Sequence, residues 1–387
     1  MTAAKKWIDD NLKGDPIIWG IVFLLAILSI LVVYSATGTL AYRKTGGNTE
    51  VYLIKHSSLV ILRLVGMWVS HKVPYKYYAK LSLVALWASV PLLAFTYFFG
   101  SNLNEANRWL TIPIIDQAFQ PSDLAKLALI AAVAGMLAKR QNNIRDFQRT
   151  FIPIMIWIGL ICLFIALANM STAILLLATC LLLMFIGRVP MKFLLMVCLV
   201  GALALTSAVF LGQRGGTFVS RIESFLSEEE VAYQAKHAYI AMATGGIAGK
   251  GPGNSDQRNF LPHPYSDFIY AIIIEEYGLI GGGFVLFLYL ALLYRGMRVV
   301  AISTRPFGGL LSAGLSFALV IQAMVNMAVT AGLGPITGLP LPLLSMGGTS
   351  LLFTGISIGV ILSVSRGDHD DAFPLEVNTN RKLAKVA

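Results

Sequence analysis

The sequence predicts an all-α polytopic membrane protein. It should have about ten transmembrane helices, cytoplasmic N and C termini, and a large extracytoplasmic loop between helices 7 and 8. Three observations predict this. Hydrophobic residues make up 56% of the 387 and charged residues only 13%, where a soluble domain carries about a quarter charged residues. The apolar residues fall in blocks of roughly 17–25, the length that crosses a bilayer core at ~1.5 Å per residue. The basic residues alternate between those blocks instead of gathering into a nucleic-acid groove, so the net charge of +10 reports topology and no nucleic-acid partner is expected.

The expected spans are 17–36, 54–72, 79–99, 122–138, 150–167, 170–187, 192–212, 268–294, 307–331 and 349–365. The first, Ile17 to Tyr34, has the apolar character of a secretory leader, but its length and the similar blocks after it make it a retained span. Spans five and six are joined by little more than Ala168 and Asn169. An even number of spans puts both termini on one side. Lys5, Lys6, Lys13, Lys72, Lys76, Lys139, Arg140, Arg188, Arg295, Arg298, Arg305 and Arg366 all belong to that side, which makes it cytoplasmic. The chain divides into a cytoplasmic N-terminal segment (1–16), one transmembrane domain (17–365) with its large outer loop at about 213–267, and a cytoplasmic tail (366–387). Cys162, Cys180 and Cys198 lie inside apolar blocks and read as small buried hydrophobes. The five histidines have no metal-ligand spacing.

Four segments carry the chemistry. The first contains Arg108 and Trp109, then Gln120, Pro121, Ser122, Asp123 and Lys126. Pro121 suits a first helical turn, and Ser122 or Asp123 can cap it. Arg108 and Lys126 are either anchors that snorkel at a helix end or a clamp for phosphate. Arg63 sits in the middle of span two, where a charge is costly without a partner or a function. The second segment runs from Ala243 to Asn254 around Lys250. It lacks the Gly-x4-Gly-Lys-Ser/Thr spacing and the preceding strand of a nucleotide loop, but its amides can approach an anionic head group.

The third segment, Phe260 to Tyr270, leads into Glu275 and Glu276. Ser266 or Asp267 can cap span eight, and Asp267 can equally serve as a fixed carboxylate. His263 and Tyr265 are possible orienting groups, and the two glutamates are candidate partners for helix-embedded cations. The fourth segment, Asn326 to Ser350, is broken by Pro335, Pro340, Pro342, Gly338, Gly347 and Gly348. Such backbone inside a membrane is either a re-entrant plug or a wall facing a head group.

These four motifs, in this order, resemble the SEDS family, the FtsW, RodA and SpoVE proteins. The strongest match is Asn326, Gly332 to Pro342 and Ser345 to Ser350, and the likeness covers about Asp15 to Arg366. The opening from Lys13 to Ala36 is most similar to the FtsW branch. The resemblance implies a peptidoglycan glycosyltransferase of septal cell-wall synthesis, which polymerises lipid II with inversion and releases undecaprenyl diphosphate. It implies a bacterial inner-membrane protein with its active site at the outer, periplasmic face. Its expected partners are a class B penicillin-binding protein and other division proteins. Asp267 falls on the family's proposed catalytic aspartate. Arg63, Arg108, Lys126, Lys250 and Ser345 are the expected substrate-binding groups. Two departures stand out: His263-Pro264-Tyr265-Ser266-Asp267 replaces a Glu-x-His-Thr-Asp pattern, and Asn169 stands where the family has Asp. A divalent cation at the diphosphate is left open, with Glu105 and Asp116 as candidate contacts. A RodA-type elongation polymerase and a lipid II flippase are the alternatives.

Overall fold

A computed structural model of the protein describes residues 11–46, 48–103, 106–112, 117–211, 215–226 and 232–370. The principal helices in chain order are α1 (Pro16–Ala36), α2 (Gly38–Thr45), α3 (Glu50–Lys72), α4 (Tyr78–Phe99), α5 (Pro121–Lys139), α6 (Ile152–Ala168), α7 (Met170–Ile186), α8 (Met191–Leu211), α9 (Gly215–Leu226), α10 (Tyr233–Gly245), α11 (Ile269–Ile302), α12 (Pro306–Thr330) and α13 (Thr349–Asp370). Eight of them are long and apolar enough to cross a membrane, and the shorter apolar helices Met170–Ile186 and Met191–Leu203 stand where expected spans six and seven lie. This is a polytopic membrane protein.

The structure adds three features. Between α4 and α5, Ser101–Leu103, Ala106–Ile112 and Gln117–Phe119 form a small antiparallel sheet, β1-β2-β3, so the fold is helical with one sheet in the α4–α5 connection. The loop expected at 213–267 holds two helices, α9 and α10. Span eight was expected to end near residue 294, yet α11 continues to Ile302 and carries Arg295 and Arg298 as helical residues. Long arginine side chains can leave the apolar core while their backbone remains helical.

One end of the bundle is fixed by Asp15. Its carboxylate caps α1 by accepting from the Ile17 amide at 2.9 Å, and it also accepts from Arg295 Nε at 2.8 Å. The Asp15 amide donates to Ser365 Oγ at 2.9 Å. The start of α1, the last turns of α13 and the C-terminal part of α11 therefore meet, as an even number of crossings requires. Asn169 caps α7 through the Thr172 amide at 3.3 Å, which explains how a one-residue link can join α6 to α7. Cys162 and Cys180 are buried, but Cys198 faces outward from α8.

Helix α13 packs closely on α3. Gly355 and Gly359 lie one turn apart, and a Cβ on either would come within 2.4 Å of the Arg63 or Met67 carbonyl. Two glycines at this spacing let backbones approach in a medium where apolar burial drives no association. The contact also fixes the backbone of Arg63.

Candidate active site

The segment between α12 and α13 has no helical structure from Leu333 to Gly347, so its carbonyls need partners from elsewhere. They have them. The Leu339 carbonyl accepts from Asn326 Nδ2 at 2.7 Å and that of Pro340 from Gln322 Nε2 at 2.9 Å. The Leu341 carbonyl accepts the Ser345 amide at 3.0 Å. Pro342 accepts the buried Tyr289 hydroxyl, Leu343 accepts Arg63 Nη1 at 2.6 Å, and Leu344 accepts Ser29 Oγ at 2.9 Å. Side chains from four helices thus hold one irregular strip of backbone. Leu343, at a φ of 70°, is one of two non-glycine residues with positive φ among the described residues, and the Arg63 bond lands on its carbonyl.

The same strip positions Asp267. Ser345 Oγ donates to the Ser266 carbonyl at 2.6 Å, the Met346 amide donates to the Tyr265 carbonyl at 2.8 Å, and Asn326 Nδ2 donates to the Asp267 carbonyl at 2.8 Å. The carboxylate accepts from Ser266 Oγ at 2.9 Å. It does not cap α11: the cap position is Phe268, and no side chain bonds there. Held by three backbone bonds and free of capping, the Asp267 side chain lines a cavity of about 920 Å³.

Trp109, Gln120, Lys126, His263, Tyr265 and Ser345 line this cavity with Asp267. His263 Nδ1 lies 3.4 Å from the Tyr265 hydroxyl. Burial pushes the Tyr265 phenol above its ordinary pKa. Lys126 pairs with the buried Asp123 at 2.7 Å, and neither Asp123 nor Ser122 caps α5. Gln120 takes the cap position without a side-chain bond and instead donates to Ser122 Oγ at 2.8 Å. Pro121 opens α5 as expected. Arg108 belongs to β2 beside Trp109, but its side chain lies outside the described residues, as do Glu105 and Asp116.

Two expected substrate cations are placed elsewhere. Arg63 is fully buried behind the irregular strip. It supports the wall from its far side, and its Nε and Nη2 have no hydrogen-bond partner. Lys250 is bound at 2.8 Å to both Asp256 and Glu275. Those bonds raise its pKa and hold the Asp256 carboxyl below the usual range. Glu275 also accepts from Ser255 Oγ at 2.5 Å and from the Asp256 amide at 3.1 Å. Glu276 accepts the Ser35 hydroxyl. Neither glutamate pairs with Arg63, because each already has partners in the α10–α11 connection or on α1.

The glycine segment around Lys250 is equally committed. At Gly278, with φ 69°, the α11 helix breaks. The Glu275 and Glu276 carbonyls accept the Lys250 and Gly251 amides at 2.9 Å, and the Leu279 amide donates to the Gly246 carbonyl at 2.9 Å. The amides expected to approach a head group therefore repair a helix.

Sequence reading missed Lys55, Arg221 and Gln322, which also line the cavity, and noted Asn169, another lining residue, only as a departure from the family pattern. Lys55 lies two turns from Arg63 on α3, a spacing that was legible. Arg221 lies in a polar loop with no distinguishing motif around it.

Residues 15–370 match the family model of the cell cycle proteins FtsW, RodA and SpoVE. The chain belongs to this FtsW/RodA/SpoVE family. Within the family, it is 33% identical over 367 residues to a probable peptidoglycan glycosyltransferase FtsW from a Geobacter species, covering 91% of this chain and 96% of that one. It is 31% identical over 355 residues to stage V sporulation protein E of Bacillus subtilis, covering 89% and 95%. Among solved structures, it matches a chain of a peptidoglycan synthase complex with a TM-score of 0.71 at 25% identity, covering 92% of this chain and 99% of that chain. The rod shape determining protein RodA of Thermus thermophilus matches with a TM-score of 0.66 at 25% identity, covering 92% and 98%. The FtsW/RodA/SpoVE resemblance carried by the four motifs is thereby borne out.

Proposed function

We propose that the chain is a peptidoglycan glycosyltransferase that polymerises lipid II, most like FtsW in role. The observation that carries this reading is the placement of Asp267: a carboxylate held by its backbone and not spent on capping, in a large cavity where Asp123, the other carboxylate among the described lining residues, is paired with Lys126. In the proposed step, Asp267 takes the proton from the 4-hydroxyl of the acceptor sugar. The freed oxygen attacks the anomeric carbon of the donor, whose bond to the lipid diphosphate breaks with inversion. Glycosidases need a second carboxyl because an alkoxide leaves poorly. A diphosphate leaves well and needs cations instead, a role for which Lys126 is placed and Arg108 is a candidate.

In this reading Ser345 and Arg63 act through the irregular strip, and Lys250 through the α11 break, as positioning groups. The cavity faces the periplasm across the bacterial inner membrane, residues 1–16 and 366–387 are cytoplasmic, and a class B penicillin-binding protein is the working partner. A divalent cation bound by the diphosphate is compatible with the acidic Asp123 beside Lys126.

The test is incubation of the purified full chain with lipid II, with and without the cognate transpeptidase, followed by gel analysis of glycan length. The wild type should form polymer. Asp267→Asn should lose about 10²–10⁴ of the rate, the usual worth of a general base, while remaining folded. Unchanged polymerisation by this variant would remove the assignment. A wild type that moves lipid II but makes no polymer under either condition would favour the flippase.

A further inference from the structure

A further cation, unexplained by any motif, lies beside the proposed base. Arg221 belongs to α9, a helix of 12 residues in which no described side chain is fully buried. One turn earlier on the same face, Phe218 packs against the core, and this anchors α9 with Arg221 turned into the cavity. Gly338, on the irregular strip, marks where the two charged groups converge. A Cβ built on it would lie 3.6 Å from Arg221 Nη1 and 3.6 Å from Asp267 Oδ2. The guanidinium and the carboxylate thus flank one small gap, left open by a residue without a side chain.

We propose that Arg221 binds the diphosphate of the lipid-linked sugar that reacts at Asp267. This rests on the reading of the cavity as a glycosyl-transfer site. A planar guanidinium presents five N–H donors and suits bidentate binding of phosphate oxygens, so it can keep a protein partner and still engage a phosphate. Lys126 is held by Asp123, and its charge is partly offset before substrate arrives. A doubly charged leaving group calls for a second cation, and Arg221 is the arginine among the described cavity-lining residues. Its position on a lightly packed helix also lets the group follow the diphosphate as it departs.

The experiment uses the purified full chain as wild type, Arg221→Gln and Arg221→Lys. Polymerisation of lipid II is measured with added undecaprenyl diphosphate, undecaprenol or inorganic pyrophosphate as inhibitors. Arg221→Gln should weaken inhibition by undecaprenyl diphosphate roughly ten- to hundredfold, the range for loss of a charge-assisted pair. Arg221→Lys should recover part of this, and inhibition by undecaprenol should be the same in all three. Weak inhibition by pyrophosphate in the wild type assigns the site to the lipid form, whereas strong, Arg221-dependent inhibition assigns it to the diphosphate alone. If Arg221→Gln has no turnover, direct binding of the same ligands to the purified variant gives the comparison. Equal weakening of all ligands, or no weakening of diphosphate binding, would overturn the assignment. Arg221-dependent diphosphate binding without polymer from the wild type would instead sink the glycosyltransferase reading and leave the anion site standing.

Discussion

Two glycine-rich breaks in this molecule look alike in sequence and serve opposite ends. The segment around Lys250 donates amides into the gap at Gly278 of α11 and receives amides in return. Its polar backbone is consumed within the protein. The segment between α12 and α13, with Gly332, Gly334, Gly338, Gly347 and Gly348, is held instead through its carbonyls from Leu339 to Leu344, mostly by side chains from behind. Its other face lines the cavity. Glycine in a membrane protein therefore does not by itself point to a ligand. What separates a repaired helix from a binding wall is which hydrogen-bonding groups the surrounding protein has already used.

The sharpest break of this comparison is one substitution made in both places. A Cβ on Gly278 would meet the Ile247 carbonyl oxygen at 2.1 Å and the Gly249 amide nitrogen at 2.6 Å, at a φ of 69°. Neither neighbour is a flexible side chain, so Gly278→Ala should give little or no folded protein, measured as monodisperse yield after purification. Gly338→Ala meets nothing closer than 3.6 Å and bears only the positive-φ strain of about 1–2 kcal/mol. It should fold, yet lose about tenfold in polymerisation, because the new methyl enters the gap between Arg221 and Asp267. If the two variants lost yield equally, the distinction between the regions would fail.

Arg63 refines the comparison at a smaller effect. Arg63→Met removes a buried charge with two unpartnered donor atoms, and replacing such a group by an apolar one is often neutral. It also leaves the Leu343 carbonyl without its donor, at a cost of about 1–3 kcal/mol. The net stability change should stay within about 2 kcal/mol. Polymerisation should fall about tenfold or more, because the strained Leu343 is then free to relax and the wall with it. A variant with unchanged lipid II turnover would show that the strip holds its shape without this clamp.

Much of this was legible in the sequence, and the limits are physical. The spans followed from apolar blocks, and the irregular strip from prolines that cannot continue a helix. Asp267 stood out as a carboxylate where a polar loop meets an apolar run, and its catalytic role came from the family resemblance. Its freedom from capping was not legible, since Ser-Asp before a helix is also the commonest way to cap one. A mid-span arginine announces its cost but not its partner, so Arg63 was read toward substrate when its acceptor is Leu343, 280 positions along the chain. Lys250 misled for a related reason: Glu275 and Asp256 lie 25 and 6 positions away, and only the folded loop brings all three together. Arg221 depends on the packing of Phe218, and no local pattern marks it.

The smallest effect is expected at that Lys250 cluster, and pH exposes it. Asp256 is an exposed carboxylate whose pKa is lowered by its hydrogen bond to Lys250 and by the lysine charge. A depressed folded pKa means stabilisation that is present above the unfolded value, about 3.9, and is lost as pH falls through the folded one. Lys250 is shifted upward, so its share is present below the unfolded lysine value and fades only as pH rises through the folded one. Asp256→Asn should therefore melt slightly below the wild type at pH 7, and the two curves should converge in acid below the ordinary carboxylate range. Polymerisation at pH 7 should hardly change, because this cluster repairs α11 and does not line the cavity. A large loss of activity with an unchanged melting temperature would mean that Lys250 reaches substrate after all, and that the two glycine breaks are less different than their hydrogen bonds make them.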